Sequence, residues 1–140
     1  MTRPVVVDTN VLVSGLLTRD ERAPTARIVV SMLRGEFHLL LSMDLLKEYR
    51  EVLLRPAIRS RHGLTEEEVE DLLADIAVVA AFPSVADTTV AERRDDLHVR
   101  LLAGARAGTV LVTGDETLRA SPLADVKVLS PREFLGRPRQ

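Results

Sequence analysis

Val5-Val6-Val7-Asp8-Thr9-Asn10 near the start of the chain and Val110-Leu111-Val112-Thr113-Gly114-Asp115 near its end share one construction. In each, three consecutive apolar residues are closed by small polar side chains and an aspartate. Successive strand residues point to opposite faces, so an unbroken apolar run predicts a strand covered on both faces, which is the condition of a parallel sheet in an α/β protein. Leu39-Leu40-Leu41 and Val126-Lys127-Val128-Leu129 are similar runs. A further strand is expected near Ala81-Phe82, where the pattern is weakest because Pro83 follows immediately.

Helical patterns separate these runs. Thr65-Glu66-Glu67-Glu68 is a capping box, followed by Val69, Leu72, Leu73, Ile76, Val79 and Ala80 at spacings of three and four. Pro24 suits the first turn of a helix ending near Arg34-Gly35, with Ile28, Val29, Met32 and Leu33 on its apolar stripe. Ser42 can cap a helix through Leu54, facing inward with Leu45, Leu46, Tyr49, Val52 and Leu53 and stopped by Arg55-Pro56. Ser130-Pro131-Arg132-Glu133 opens a short last helix closed by Gly136, and another is expected from Asp95-Asp96 to Gly108. Alternation of strand and helix predicts an α/β fold, a three-layer α/β/α sandwich around a central, mainly parallel sheet of about five strands, in a single domain over residues 1–140.

Composition narrows the chemistry. The chain has 140 residues, 46% of them hydrophobic, so it can bury a core without metal or disulfide staples. It has no cysteine, which excludes thiol nucleophiles, disulfide scaffolds and cysteine-ligated metals. No membrane span and no signal-peptide core are expected, and the expected location is cytoplasmic. A formal charge of −2 argues against binding nucleic acid by bulk charge alone and leaves room for a local basic face. Only Lys47 and Lys127 among the basic residues are lysine. Arginine suits bidentate phosphate contacts, although GC-rich coding produces the same bias.

Ligands of open parallel sheets sit beyond the carboxyl ends of the strands. Asp8 and Asp115 therefore emerge on one edge, where each either caps the following helix or serves a shared cleft. Glu48 lies about 100° from the centre of its helix's apolar stripe, at the border between core and solvent, where glutamates also snorkel or form ion pairs. Asp96, with Asp95 as the alternative, precedes the helix carrying Val99, Leu102 and Ala103, a position that acids also occupy for dipole reasons alone. Four carboxylates on one edge repel one another unless cations neutralise them. Oxygen-only ligation is the preference of Mg²⁺ or Mn²⁺, and such a cluster suits two-metal hydrolysis of a phosphodiester.

The order Val7-Asp8-Thr9-Asn10-Val11, a mid-chain helix with Glu48, Asp96 ahead of an alanine-containing helix, and Val112-Thr113-Gly114-Asp115 resembles a PIN domain over nearly the whole chain. The likeness is strongest to the small stand-alone VapC-type toxins of prokaryotic toxin–antitoxin systems. It implies that Asp8, Glu48, Asp96 and Asp115 form an acidic metal site, that Asn10 and Thr113 orient it, and that the protein is an Mg²⁺- or Mn²⁺-dependent ribonuclease. It further implies a homodimer inhibited by a cognate antitoxin protein. The family's Asp-Pro-x-Asp is here Arg93-Arg94-Asp95-Asp96, and an acid sometimes found three residues past Thr-Gly-Asp is Leu118, for which Glu116 could partly substitute. The number of metals is left open by these departures.

Arg50, Arg55, Arg59 and Arg61, with His62, follow Glu48, and Arg19 and Arg22 follow Asp8's helix. They are either candidate contacts to a phosphate backbone or a solvated charged face. With one tyrosine, three phenylalanines and no tryptophan, base-stacking platforms are scarce, which favours a structured RNA over a long single strand. His38, His62 and His98 show no ligand spacing and are expected to be non-catalytic. Leu16-Leu17 and Leu53-Leu54 exceed one apolar stripe, a hint of surface covered by a second copy or an antitoxin segment. Two other classes compete. A degenerate PIN module would bind RNA or protein without catalysis. A signalling receiver would show an acidic pair after the first strand and a late lysine, whereas Thr9-Asn10 follow Asp8 and Lys127 falls inside the last strand pattern.

Overall fold

β1 (Pro4–Val7) and β3 (Val110–Val112) lie side by side at the centre of a parallel sheet, with Val7 opposite Val112. Every residue of Val5–Val7 and Val110–Val112 is buried, so both faces of the sheet are covered, as their unbroken apolar runs require. The computed structural model describes residues 3–84, 97–120 and 126–136. In chain order the other elements are α1 (Thr9–Leu17), α2 (Pro24–Leu33), β2 (His38–Leu39), α3 (Met43–Leu53), α4 (Pro56–His62), α5 (Glu66–Val79), α6 (Leu97–Gly104), α7 (Glu116–Ala120), β4 (Lys127–Leu129) and α8 (Pro131–Leu135). The result is an α/β sandwich with strand order β2-β1-β3-β4, all pairs parallel.

This order reverses between β1 and β3. The chain leaves β1 for β2 on one side, then returns to build β3 and β4 on the other. In open α/β sheets the crevice at such a reversal is where ligands bind, and here Asp8 and Thr113 open directly onto it.

Four strands are seen among the described residues instead of about five. The expected strand near Ala81-Phe82 shrinks to one bridge, Leu40 to Ala81, made by Ala81 N–H to Leu39 O and Leu41 N–H to Ala81 O. The next donor facing β2 in that ladder belongs to residue 83, and Pro83 has no N–H. A second difference concerns Pro56, read as a stop. It ends one helix and opens α4 from the first-turn position, where its missing donor costs nothing. Both capping boxes form, on Thr65 with Glu68 and on Ser130 with Glu133, and Gly35 closes α2 at φ +66°. The last-but-two helix ends at Gly104, four residues short of the expected Gly108.

Two contacts position the site from below. Tyr49 on α3 is fully buried and its hydroxyl donates to the carbonyl of Val7 at 2.5 Å, fastening α3 to the last residue of β1. Burial, first of all, pushes this phenol well above its usual pKa, so it stays a donor at any physiological pH. Tyr49→Phe keeps the ring and strands a buried carbonyl. A stability loss of about 1–3 kcal/mol is expected in urea unfolding, and an unchanged midpoint would show the bond to be inconsequential. The second contact is Gly15, where α1 meets α2: a Cβ there would lie 2.5 Å from both Thr25 O and Val29 Cγ2.

Candidate active site

Asp8 caps α1 and also bonds to the neighbouring strand. Its backbone is extended, as an N-cap requires, and its Oδ1 accepts the N–H of Thr9 at 2.9 Å, capping α1. Its Oδ2 turns to the neighbouring strand, accepting the Thr113 hydroxyl at 2.7 Å and the Asn10 amide at 3.2 Å. Capping therefore leaves one carboxylate oxygen to bond across to β3. Asp8 is only 8% exposed, and burial raises its carboxyl above the usual range. The Thr113 and Thr9 donors oppose that rise, while the charges of Glu48 and Asp115 add to it.

Thr113 is the hub. Fully buried at the end of β3, it donates to Asp8 and accepts from the Asp115 N–H at 3.0 Å and the Asn10 amide at 3.3 Å. Asn10 Oδ1 accepts the Gly114 N–H at 2.9 Å, and a Cβ at 114 would sit 3.4 Å from that oxygen, in contact with it. Asn10 and Thr113 thus brace the two strand ends as orienting residues would. Asp115 is exposed and caps α7, its Oδ1 accepting from Thr117 N–H at 2.8 Å and Leu118 N–H at 3.4 Å. Leu118 is buried, and Glu116 is exposed on the first turn of α7.

Glu48 reaches the same edge from α3. Its Oε2 accepts the hydroxyl of Thr9, and its Oε1 faces His98 Nε2 at 3.2 Å. A carboxylate only accepts, so the imidazole nitrogen donates. That hydrogen bond, ahead of the opposing effect of partial burial, holds Glu48 below the usual carboxylate range, and the same bond raises His98. Neither Thr9 nor His98 was expected at the site. The sequence offers no local signal for a contact between residues 48 and 98, and Thr9 reads equally well as a capping residue.

The remaining expected residues divide. Asp96, with its alternative Asp95, lies outside the described residues. Arg50 is ion-paired across to α5 with Glu70 and, at 3.7 Å, Glu66. Arg55 lies close enough for its charge to help lower Glu48, and Arg59 and Arg61 are exposed on α4. His62 links helices instead, with Nε2 donating to Leu53 O at 2.8 Å and Nδ1 accepting from Leu64 N–H at 2.9 Å.

Asp8, Glu48 and Asp115 thus come from three elements to one edge, and each of the latter two raises the cost of ionising Asp8. Among the described residues, no three acidic or histidine side chains stand close enough to hold one ion together. The donor set itself, carboxylate oxygen with hydroxyl and amide support, suits a hard cation.

The sequence pattern of the PIN domain matches residues 4–117. The chain belongs to the PIN domain family. No curated protein matches it significantly. PIN domains are a nuclease-type family that generally hydrolyses phosphodiester bonds with divalent metal, which makes nucleic acid the substrate class. The matched span includes Asp8, Glu48, Asp96 and Asp115 and stops short of β4 and α8. No helix of this PIN domain among the described residues is long and apolar enough to cross a membrane.

Proposed function

We propose that the protein is an Mg²⁺- or Mn²⁺-dependent endoribonuclease and the toxin of a toxin–antitoxin pair, with Asp8, Glu48, Asp96 and Asp115 as the metal-binding acids. One observation carries this reading: Asp8, Glu48 and Asp115 reach one sheet edge at its reversal point, where burial first and then the other two charges raise the Asp8 carboxyl above its usual range. A site where burial and neighbouring acids disfavour an ionised carboxylate is one that a cation would complete. Bound there, divalent ions supply a water activated for attack on phosphorus and charge compensation for the departing oxygen.

The chain's own residues orient and attract. Thr113 and Asn10 aim Asp8, Thr9 and His98 fix Glu48, and Arg55 beside Glu48, with Arg59 and Arg61 exposed on α4, offers positive charge for the phosphate backbone. The antitoxin and the homodimer come from the likeness to stand-alone toxins. The expected surplus at Leu16-Leu17 and Leu53-Leu54 is packed against the core, and among the described residues the large apolar side chains left exposed are Val30, Leu33, Met43, Val78 and Phe82. The proposal includes a cytoplasmic location.

The alternative is a PIN module that binds without cutting, and Arg93 in place of the family's upstream aspartate favours it. Purified protein incubated with structured RNAs in Mg²⁺ or Mn²⁺, beside a chelator control, separates the two. Metal-dependent cleavage supports the nuclease; absence of both cleavage and carboxylate-dependent Mn²⁺ binding supports the binding module.

A further inference from the structure

Glu48 is gripped at both oxygens, and the two grips differ. The Thr9 hydroxyl comes from the same strand end as Asp8. The other, His98, sits on the first turn of α6 and crosses to α3, which α6 otherwise touches little. We infer that His98 is a positioning residue of the acidic edge, whose Nε2–H sets the orientation of the Glu48 carboxylate while Thr9 holds the opposite oxygen. The inference rests on the nuclease reading and deepens it.

Packing does not account for an imidazole at this place. His98 Nδ1 is buried and has no hydrogen-bond partner among the described residues. Such an orphan costs stability that an apolar side chain of similar size would not lose. What imidazole adds over leucine is the nitrogen that faces Glu48. With Thr9 alone, the carboxylate keeps one fixed oxygen and is free to swing about it. With both partners its plane is set, as the outer partners of a metal ligand set theirs.

The test uses two substitutions of comparable bulk. His98→Leu fills the space with no donor, and His98→Gln carries an amide N–H₂ near the place of Nε2. Mn²⁺ binding to the full chain without RNA is read by the electron paramagnetic resonance of free Mn²⁺, and cleavage of a responsive RNA is followed against Mn²⁺ concentration. His98→Leu is expected to weaken Mn²⁺ binding about 10–100-fold, with much of the rate recovered at saturating Mn²⁺, while melting no lower than the parent. His98→Gln is expected to restore most of the affinity. Mn²⁺ binding by His98→Leu equal to the parent's, or by His98→Gln as poor as that of His98→Leu, would overturn the assignment. A parent protein that binds no Mn²⁺ would instead remove the nuclease reading, and this inference with it.

Discussion

Asp8→Asn should reduce metal-dependent RNA cleavage by about 100-fold or more and leave the protein folded. Loss of a mere supporting partner of a metal ligand costs roughly 10–100-fold, so loss of the ligand's charge is expected to cost at least the upper figure. The fold should survive because an amide can keep most of the local bonds. With its oxygen in the place of Oδ2 it still accepts the Thr113 hydroxyl and the Asn10 amide. Only the Thr9 N–H then meets a second donor. Against that loss stands a gain, since burial makes the ionised Asp8 the costly form and asparagine carries no charge. In chelator the variant should therefore melt within a few degrees of the parent. In excess metal the parent should gain about 2.7 kcal/mol at one hundred times the dissociation constant, and Asp8→Asn should gain almost nothing. Expression should arrest growth with Asp8 and not with Asn. Wild-type cleavage rates in the folded variant would remove Asp8 from the chemistry and leave it as a helix cap.

Gly15→Ala should be destabilising, against ordinary helix propensity. In an open helix the change would gain about 1 kcal/mol. Here the new methyl would stand 2.5 Å from Thr25 O and Val29 Cγ2. Valine 29 could turn, but a backbone oxygen yields only if α2 moves, and overpacking of this kind costs about 1–3 kcal/mol or somewhat more. After that gain is set against the cost, a net loss of up to about 2 kcal/mol is expected in urea unfolding, larger for Gly15→Val. The shift would be felt at Asp8 and Asn10, because α1 begins at Thr9. A midpoint equal to or above the parent's would mean that the two helices separate cheaply, and that α1 is not held at its present spacing.

Local features were legible wherever the physics is local. Thr65 with Glu68, Ser130 with Glu133, Pro24 and Ser42 each satisfy or replace orphan donors within one turn, and all sit at helix starts as read. The acids ending β1 and β3 were legible because a parallel sheet sends both to one edge. Glu48's place at the border of its stripe also emerged from helix geometry, and its half-buried setting agrees. What stayed hidden depends on distance along the chain or on which of two uses a residue takes. Pro56 stops one helix and starts another by the same property. His98 reaches Glu48 across fifty positions with no period to betray it. The reversal of strand order between β1 and β3, which makes the crevice, is a choice among topologies that apolar runs do not rank.

The pairing of β1 with β3 also governs when the site can exist. Val7 meets Val112 across a separation of 105 residues, so this is the longest-range of the strand pairings and the one with the largest loop-closure entropy. Before β3 joins the sheet, Asp8 has neither the Thr113 hydroxyl nor the neighbouring Asp115, and β1 can only align with β2. During synthesis from the amino end, the first acid is thus made long before the strand that completes its surroundings. A newly made chain remains chemically incomplete until most of it has been translated and folded, a delay written into the order of the strands.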